Sequence, residues 1–290
     1  MEQSFATPHH VLVVVHNDVG LTVITAHPGE TSHVELTGDT PGAKELVERA
    51  IVECRQNGGR DIVIVKVPRL HGMKFIRRNG VNVRIDVPEA SDVRVVSASA
   101  DVELNGSLGR ANVKTASGAL TADDLADLRA KSASGDIEVG TVSGALRMQS
   151  AAGDLRCVQV GGPVSVTTAS GDVEVGAAAG DVDIRATSGD VRLGDVSGDA
   201  RVVAVSGSVQ VLSLTEGNMH IRSVSGKIDV GVARGATLSV DAESMSGSVH
   251  SDIPLQDGPG AADDDPRVSL TLRSVSGDLL ITRGVEAFVR

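Results

Sequence analysis

Nine glycines, Gly135, Gly144, Gly153, Gly162, Gly171, Gly180, Gly189, Gly198 and Gly207, follow one another at an unbroken spacing of nine residues. Constant spacing of this kind is the mark of a repeat array, in which each unit buries its apolar side against its neighbours. The units read SGDIEVGTV from Ser134, SGDVEVGAA from Ser170 and SGDVRLGDV from Ser188. Ser-Gly-Asp supplies a turn, because glycine tolerates positive φ and the aspartate side chain can bond nearby backbone. The three residues that follow alternate apolar, polar, apolar, the period of a half-buried strand. The pairs Ile137/Val139, Leu146/Met148, Leu155/Cys157, Val164/Val166, Val173/Val175, Val182/Ile184 and Val191/Leu193 are therefore expected to point inward.

The residues between those pairs decide how units stack. At a step of nine the outward series Glu138, Arg147, Arg156, Ser165, Glu174, Asp183, Arg192, Arg201 sets like charges side by side three times, a costly arrangement for adjacent strands. At a step of eighteen it separates into Glu138, Arg156, Glu174, Arg192, Gln210 and Arg147, Ser165, Asp183, Arg201, His220. The first column alternates in sign wherever it is charged. This favours an all-β parallel β-solenoid with coils of about eighteen residues, two nine-residue units per coil, stacked about 4.8 Å apart.

Composition agrees with a thin interior. The chain has no Trp, no Tyr and three Phe, as expected where small β-branched side chains fill the core. With 38 acidic against 27 basic residues the net charge is −11, which argues against a nucleic-acid partner. Two cysteines make no disulfide framework, and Cys54 and Cys157 read as buried thiols of a reducing compartment. The start, MEQSFATPHH, lacks the basic and apolar run of a signal peptide, and no stretch approaches the ~20 apolar residues of a membrane span. A cytoplasmic location is the expectation.

Taken in order, His10 to His16, Leu21 to Ala26 and His33 to Leu36 read as strands. A single helix is expected next, with Thr40 as N-cap and Pro41 at its first position. Leu46, Val47, Ala50, Ile51 and Cys54 would line one face, Asn57-Gly58-Gly59 would end the helix, and the helix would cap the open end of the stack. Asp61 to Val67 and Val81 to Val87 read as further strands, each closed by a proline. One domain is expected over 1–290, with N-terminal strands and helix over 1–90 and the repeat array over 91–290. An acidic insertion at 254–267 carries Asp263, Asp264 and Asp265, and Phe288 is placed to plug the far end of the core.

The recurring Ser-Gly-Asp-Val-x-Val units, the opening HVLVVVHNDVGLTVITA and the segment VNVRIDVPEASDVRVVSASADVEL together resemble the bacterial DUF4097 family, also described as adhesin-like or β-strand-repeat proteins. The resemblance runs from about residue 9 to 283. It implies a right-handed β-solenoid and a link to the bacterial envelope or its stress response, and it brings no catalytic residues. The helix and the want of a membrane anchor set this chain apart from many members.

Candidate sites follow from the same columns. Asp136, Asp154, Asp172 and Asp190 recur at eighteen-residue spacing, with Asp181 and Asp199 on the other edge. Neighbouring carboxylates one coil apart repel by about 1 kcal/mol in water. Each Asp is expected to accept backbone N–H groups in its own turn. The alternative is Ca²⁺ held between coils, against which stands the absence of the Gly-Gly-x-Gly-x-Asp pattern. His10, His16 and His33 are a candidate zinc group on adjacent strands. Lys74, Arg77 and Arg78 form a basic loop suited to an acidic partner. No nucleophile elbow, P-loop or dinucleotide fingerprint is present. The expected function is a non-enzymatic scaffold or protein-interaction surface with an unidentified protein partner. A carbohydrate-active or glycan-binding β-helix is the competing class, disfavoured by the missing aromatic platforms.

Overall fold

The computed structural model describes residues 1–68, 80–253 and 267–284. The chain divides into two compact units, Met1–Ser143 and Gly144–Arg290. Among the described residues no helix is long and apolar enough to cross a membrane.

The first unit contains β1 (Glu2–Ala6), β2 (His10–His16), β3 (Gly20–His27), β4 (Thr31–Thr37), α1 (Pro41–Glu48), β5 (Ile51–Asn57) and β6 (Arg60–Lys66). It continues with β7 (Val81–Pro88), β8 (Asp92–Val96), β9 (Asp101–Lys114), β10 (Leu120–Ser132) and β11 (Ile137–Val142). Strand β2 lies between β6 and β8, and β3 between β7 and β9, all in parallel. The coil made first is thus enclosed by coils made later. Onward the order is regular: β9 pairs β10, with Leu120 opposite Val102, and β10 pairs β11, with Leu120 opposite Ile137. At the outer end the pairing turns antiparallel, β4 on β7, β1 on β4 and β5 on β6.

The helix is half as long as its sequence pattern suggests. Thr40 does cap it, accepting from the Ala43 N–H, and Pro41 does begin it, but it stops at Glu48. Residues 51–57 form β5, hairpinned to β6 with Asn57 opposite Arg60. The two loop residues, Gly58 and Gly59, have φ of 59° and 75°, as a tight hairpin turn demands at both central positions. Asn-Gly-Gly was therefore a hairpin turn and not a helix stop, and Ile51-Val52 took their β-branched preference. Ala43, Leu46 and Val47 are buried, and α1 packs against β4 and β7. Cys54 sits half-exposed on β5, not buried on a helix, whereas Cys157 is buried as expected.

The second unit begins with β12 (Leu146–Ala152), β13 (Leu155–Val160), β14 (Val164–Ser170), β15 (Val173–Ala178), β16 (Val182–Ser188) and β17 (Val191–Ser197). It ends with β18 (Ala200–Ser206), β19 (Val209–Ser225), β20 (Ile228–Val232), β21 (Thr237–Ser246), β22 (Val249–Ser251), β23 (Arg267–Ser276) and β24 (Leu279–Arg283). One parallel ladder runs β12, β14, β16, β18 and the later part of β19. The other runs β13, β15, β17, the earlier part of β19, then β20. Partners are eighteen residues apart, Leu155 opposite Val173 and Val164 opposite Val182. The step becomes nineteen at Ala200 opposite Met219. Every inward pair expected from the sequence is buried, from Ile137/Val139 in the first unit to Val191/Leu193 in the second.

Stacking does not follow chain order at the end. Strand β23 inserts between β19 and β21, and β24 between β20 and β22. The last described coil of the chain is therefore the penultimate coil of the stack, and β21 with β22 forms its outermost rung.

Glycine is required in the turns by geometry. At Gly189, φ is 117° and an added Cβ would lie 2.2 Å from the Gly171 carbonyl oxygen. The turns stack so closely that no side chain fits between one backbone and the next.

Candidate binding surface

The aspartates of the repeat are engaged, but across coils rather than within their own turns. Oδ1 of Asp154 accepts from the Asp172 N–H at 2.8 Å, Oδ1 of Asp172 from the Asp190 N–H at 2.8 Å, and Oδ1 of Asp190 from the Ser208 N–H at 2.9 Å. On the other edge Oδ1 of Asp181 accepts from the Asp199 N–H at 3.3 Å, and that of Asp199 from the Asn218 N–H at 2.8 Å and its Nδ2 at 3.0 Å. The neighbouring turn lies one strand spacing away and presents its N–H toward the carboxylate. The bonds hold the Asp199 carboxyl below the usual carboxylate range, through the Asn218 backbone and side chain first. Charge-assisted bonds of this kind offset the repulsion along the column. Arg192 adds to it, reaching Asp172 at 3.5 Å and Asp190 at 3.0 Å. Arg156 and Glu174 pair at 3.5 Å in the alternating column. Asp136, in the first unit, lies in the turn before β11, where its carbonyl accepts from the Leu120 N–H.

The three candidate histidines are not brought together. His10 and His16 stand at opposite ends of β2, roughly 20 Å apart at strand rise. His10 Nε2 lies 3.2 Å from Asp92 Oδ2, and His33 contacts Glu2 at 3.3 Å and Ser4 at 2.9 Å. Among the described residues no group of three or more His, Cys, Asp or Glu is arranged to hold a metal ion. Lys74, Arg77 and Arg78 lie outside the described residues, as does Phe288.

A polar cluster that the sequence reading passed over gathers in the first unit around Asp92, which is 7% exposed. Its Oδ1 accepts from the Arg110 N–H at 2.8 Å, eighteen residues on, and its Oδ2 faces His10 and, at 3.6 Å, Arg60. Burial alone would raise its pKa, but the Arg110 and His10 contacts prevail and hold it below the usual range. On β6, across β2 from it, Asp61 accepts from the His9 N–H at 3.1 Å and faces the His9 ring at 3.2 Å. The signal was in the sequence: Ser91-Asp92-Val93-Arg94-Val95 repeats the Asp-Val-x-Val phrase of the array.

What sequence columns did not display is an exposed apolar ladder in the second unit. Register aligns Val205 with Val224, Val224 with Val275 and Val275 with Met245. Their exposures are 44%, 47%, 45% and 80%. Beside them Arg222, Arg273 and Glu243 complete a groove of about 410 Å³. A smaller cavity of about 180 Å³ adjoins it, lined by Arg201, His220 and Arg222. Earlier rungs of the same column are Ala169 and Thr187. The column grows more apolar toward the last coils, and contiguous apolar surface of this kind marks interaction sites.

Fold and surface together define a stacked-strand repeat protein with an outward apolar groove edged by charges of both signs. The chain belongs to the Toastrack DUF4097 family, whose model matches residues 33–282. Solved structures similar to it include a candidate adhesin of Parabacteroides merdae ATCC 43184, 14% identical, with 97% of this chain and 95% of that one covered and a TM-score of 0.46. A candidate cell adhesion protein of Clostridium sporogenes ATCC 15579 is 9% identical over 98% and 99% of the chains, TM-score 0.25. A candidate lipid binding protein of Parabacteroides distasonis ATCC 8503 is 12% identical over 97% and 96%, TM-score 0.35. No curated protein matches this chain.

Proposed function

We propose that this chain is a non-enzymatic binding or scaffold module, a right-handed β-solenoid with coils of about eighteen residues whose outward groove in the second unit receives a protein partner. The observation that carries this reading is the four-rung ladder Val205, Val224, Val275 and Met245, exposed along a groove of about 410 Å³. Exposed apolar side chains in register lose water only when a partner covers them. The adjoining Arg222 would orient the partner and set its specificity. Family membership supports a binding role. The Asp columns belong to the fold in this reading, since their Oδ1 atoms already accept backbone N–H groups. Melting that is unchanged by a calcium chelator is the expected result for them.

The test is capture from the cell extract with the intact protein and with a Val224→Asp/Val275→Asp variant run in parallel. Both side chains are half-exposed, so the variant should melt within a few degrees of the parent. A partner enriched on the parent and absent from the variant supports the groove. An identical capture profile for the two overturns it.

A further inference from the structure

The outermost rung of the second unit is unfinished in three ways that point to one occupant. Among the described residues β21 pairs only with β23, and β22 only with β24, so the outer edges of both strands carry backbone N–H and C=O groups without a strand partner. The inward side chains are also uncovered. Val268, Leu270 and Leu272 of β23 are buried, yet Leu238, Val240 and Ala242, opposite them on β21, are only half-buried. The outward side chains carry excess negative charge. Asp241 bonds Arg273 at 2.9 and 2.5 Å, and Glu243 faces the same guanidinium at 3.6 Å, so two carboxylates share one cation.

We infer that β21 is an acceptor edge for an extended segment of a partner protein that adds as the next parallel strand, with apolar residues over Leu238 and Val240 and a basic residue over Asp241 and Glu243. This rests on the protein-binding reading above and names the partner's chemistry. Strand addition supplies affinity through main-chain bonds and specificity through alternate side chains. The chain itself contains the template: β23 sets Thr271 against Asp241, Arg273 against Glu243 and Val275 against Met245. A segment of the same pattern on the free edge would repeat those pairings and extend the apolar ladder by a fifth rung. A second copy of this chain fits less well, because two-fold pairing of β21 with itself brings Asp241 and Glu243 toward their own counterparts, and like charges across strands are unfavourable.

The probe is a fluorescein-labelled peptide with the sequence of residues 267–276, titrated into the intact chain and read by anisotropy. Saturable binding is expected, at least tenfold tighter than a scrambled peptide. Asp241→Lys/Glu243→Lys in the intact chain should weaken it tenfold or more. A peptide carrying Glu at the position of Arg273 should then bind the charge-reversed chain better than the parent. Hydrogen exchange on the complex should slow in β21 with β23 unchanged. Binding no tighter than scrambled peptide, indifference to the charge reversal, or faster exchange in β23 (the peptide displacing that strand) would each overturn the inference. Self-association of the intact chain that the peptide competes away would overturn it in favour of a second copy. The Val224→Asp/Val275→Asp chain separates the two readings: peptide binding retained there while extract capture is unaffected leaves the edge standing and the groove refuted.

Discussion

Among the described residues the outer end of the first unit and the outermost rung of the second meet the same physical problem and treat it differently. In the first unit parallel pairing gives way to antiparallel β4, β1 and β5, with α1 packed on β4 and β7. The inward Val34 and Leu36 are fully buried there. In the second unit the pairing stays parallel to the last described strand, and Leu238 and Val240 are half-buried. Native proteins blunt edges because an edge recruits strands. β1 and β5 are edge strands too, but the core beneath them is covered by the chain itself, and that covering is what the rung at β21 lacks among the described residues.

The sharpest way to break this comparison is one charge introduced at each end. Leu36→Asp buries an unpaired carboxylate and should cost about 4 kcal/mol, enough to unfold the first unit. Val240→Asp should cost under about 1 kcal/mol by urea denaturation, because water already reaches that site. Equal losses would mean that the second end is sealed in solution. Within the regular array, Val173→Asp should match Leu36→Asp, and a soluble folded variant would overturn the inward assignment.

Next in size is Gly189→Ala. It sets a Cβ 2.2 Å from the Gly171 carbonyl at a φ of 117°, and about 2–4 kcal/mol of stability should be lost. The same change at Gly58, where nothing lies within 4 Å, should cost about 1 kcal/mol for φ alone.

Acid should act on the first unit through Asp92, whose folded-state pKa lies below the ordinary 3.8. A lowered folded pKa means that the carboxylate lends its full stability above the unfolded value and loses it as pH falls through the folded one. Melting should therefore be flat above about pH 5 on this account and fall below about pH 4. Asp92→Asn should lower the plateau by about 1–3 kcal/mol and flatten the acid limb.

The smallest effect is expected at Ser223 and Ser274, inward residues whose buried hydroxyls have no partner. The same column holds Ala186 and Ala204. Ser223→Ala/Ser274→Ala should raise stability slightly, by about 0.5–1 kcal/mol by calorimetry, and a measured loss would show that the hydroxyls have partners in solution.

The regular part of this molecule was legible because each unit repeats its own instructions. Period two set the inward pairs, and charge alternation at a step of eighteen set the parallel register, as Arg156 opposite Glu174 shows. Where no repeat averaged the signal, local patterns competed. Leu46, Val47, Ala50, Ile51 and Cys54 fit a helical face, yet only tertiary pairing with β6 decided that 51–57 is a strand. The Asp columns were visible, but their partners were not, since an N–H one coil away has no signature in sequence. The ladder from Val205 to Met245 was hidden for a stronger reason. Its last two rungs follow spatial order, Val275 before Met245, which reverses their order in the chain.

That reversal also has a meaning in time. As the chain leaves the ribosome, β21 and β22 emerge before β23 and β24, which in the native stack lie between them and β19 and β20. The native partners of the outermost rung are therefore the last strands described in the chain, and that rung cannot reach its final pairing before they exist.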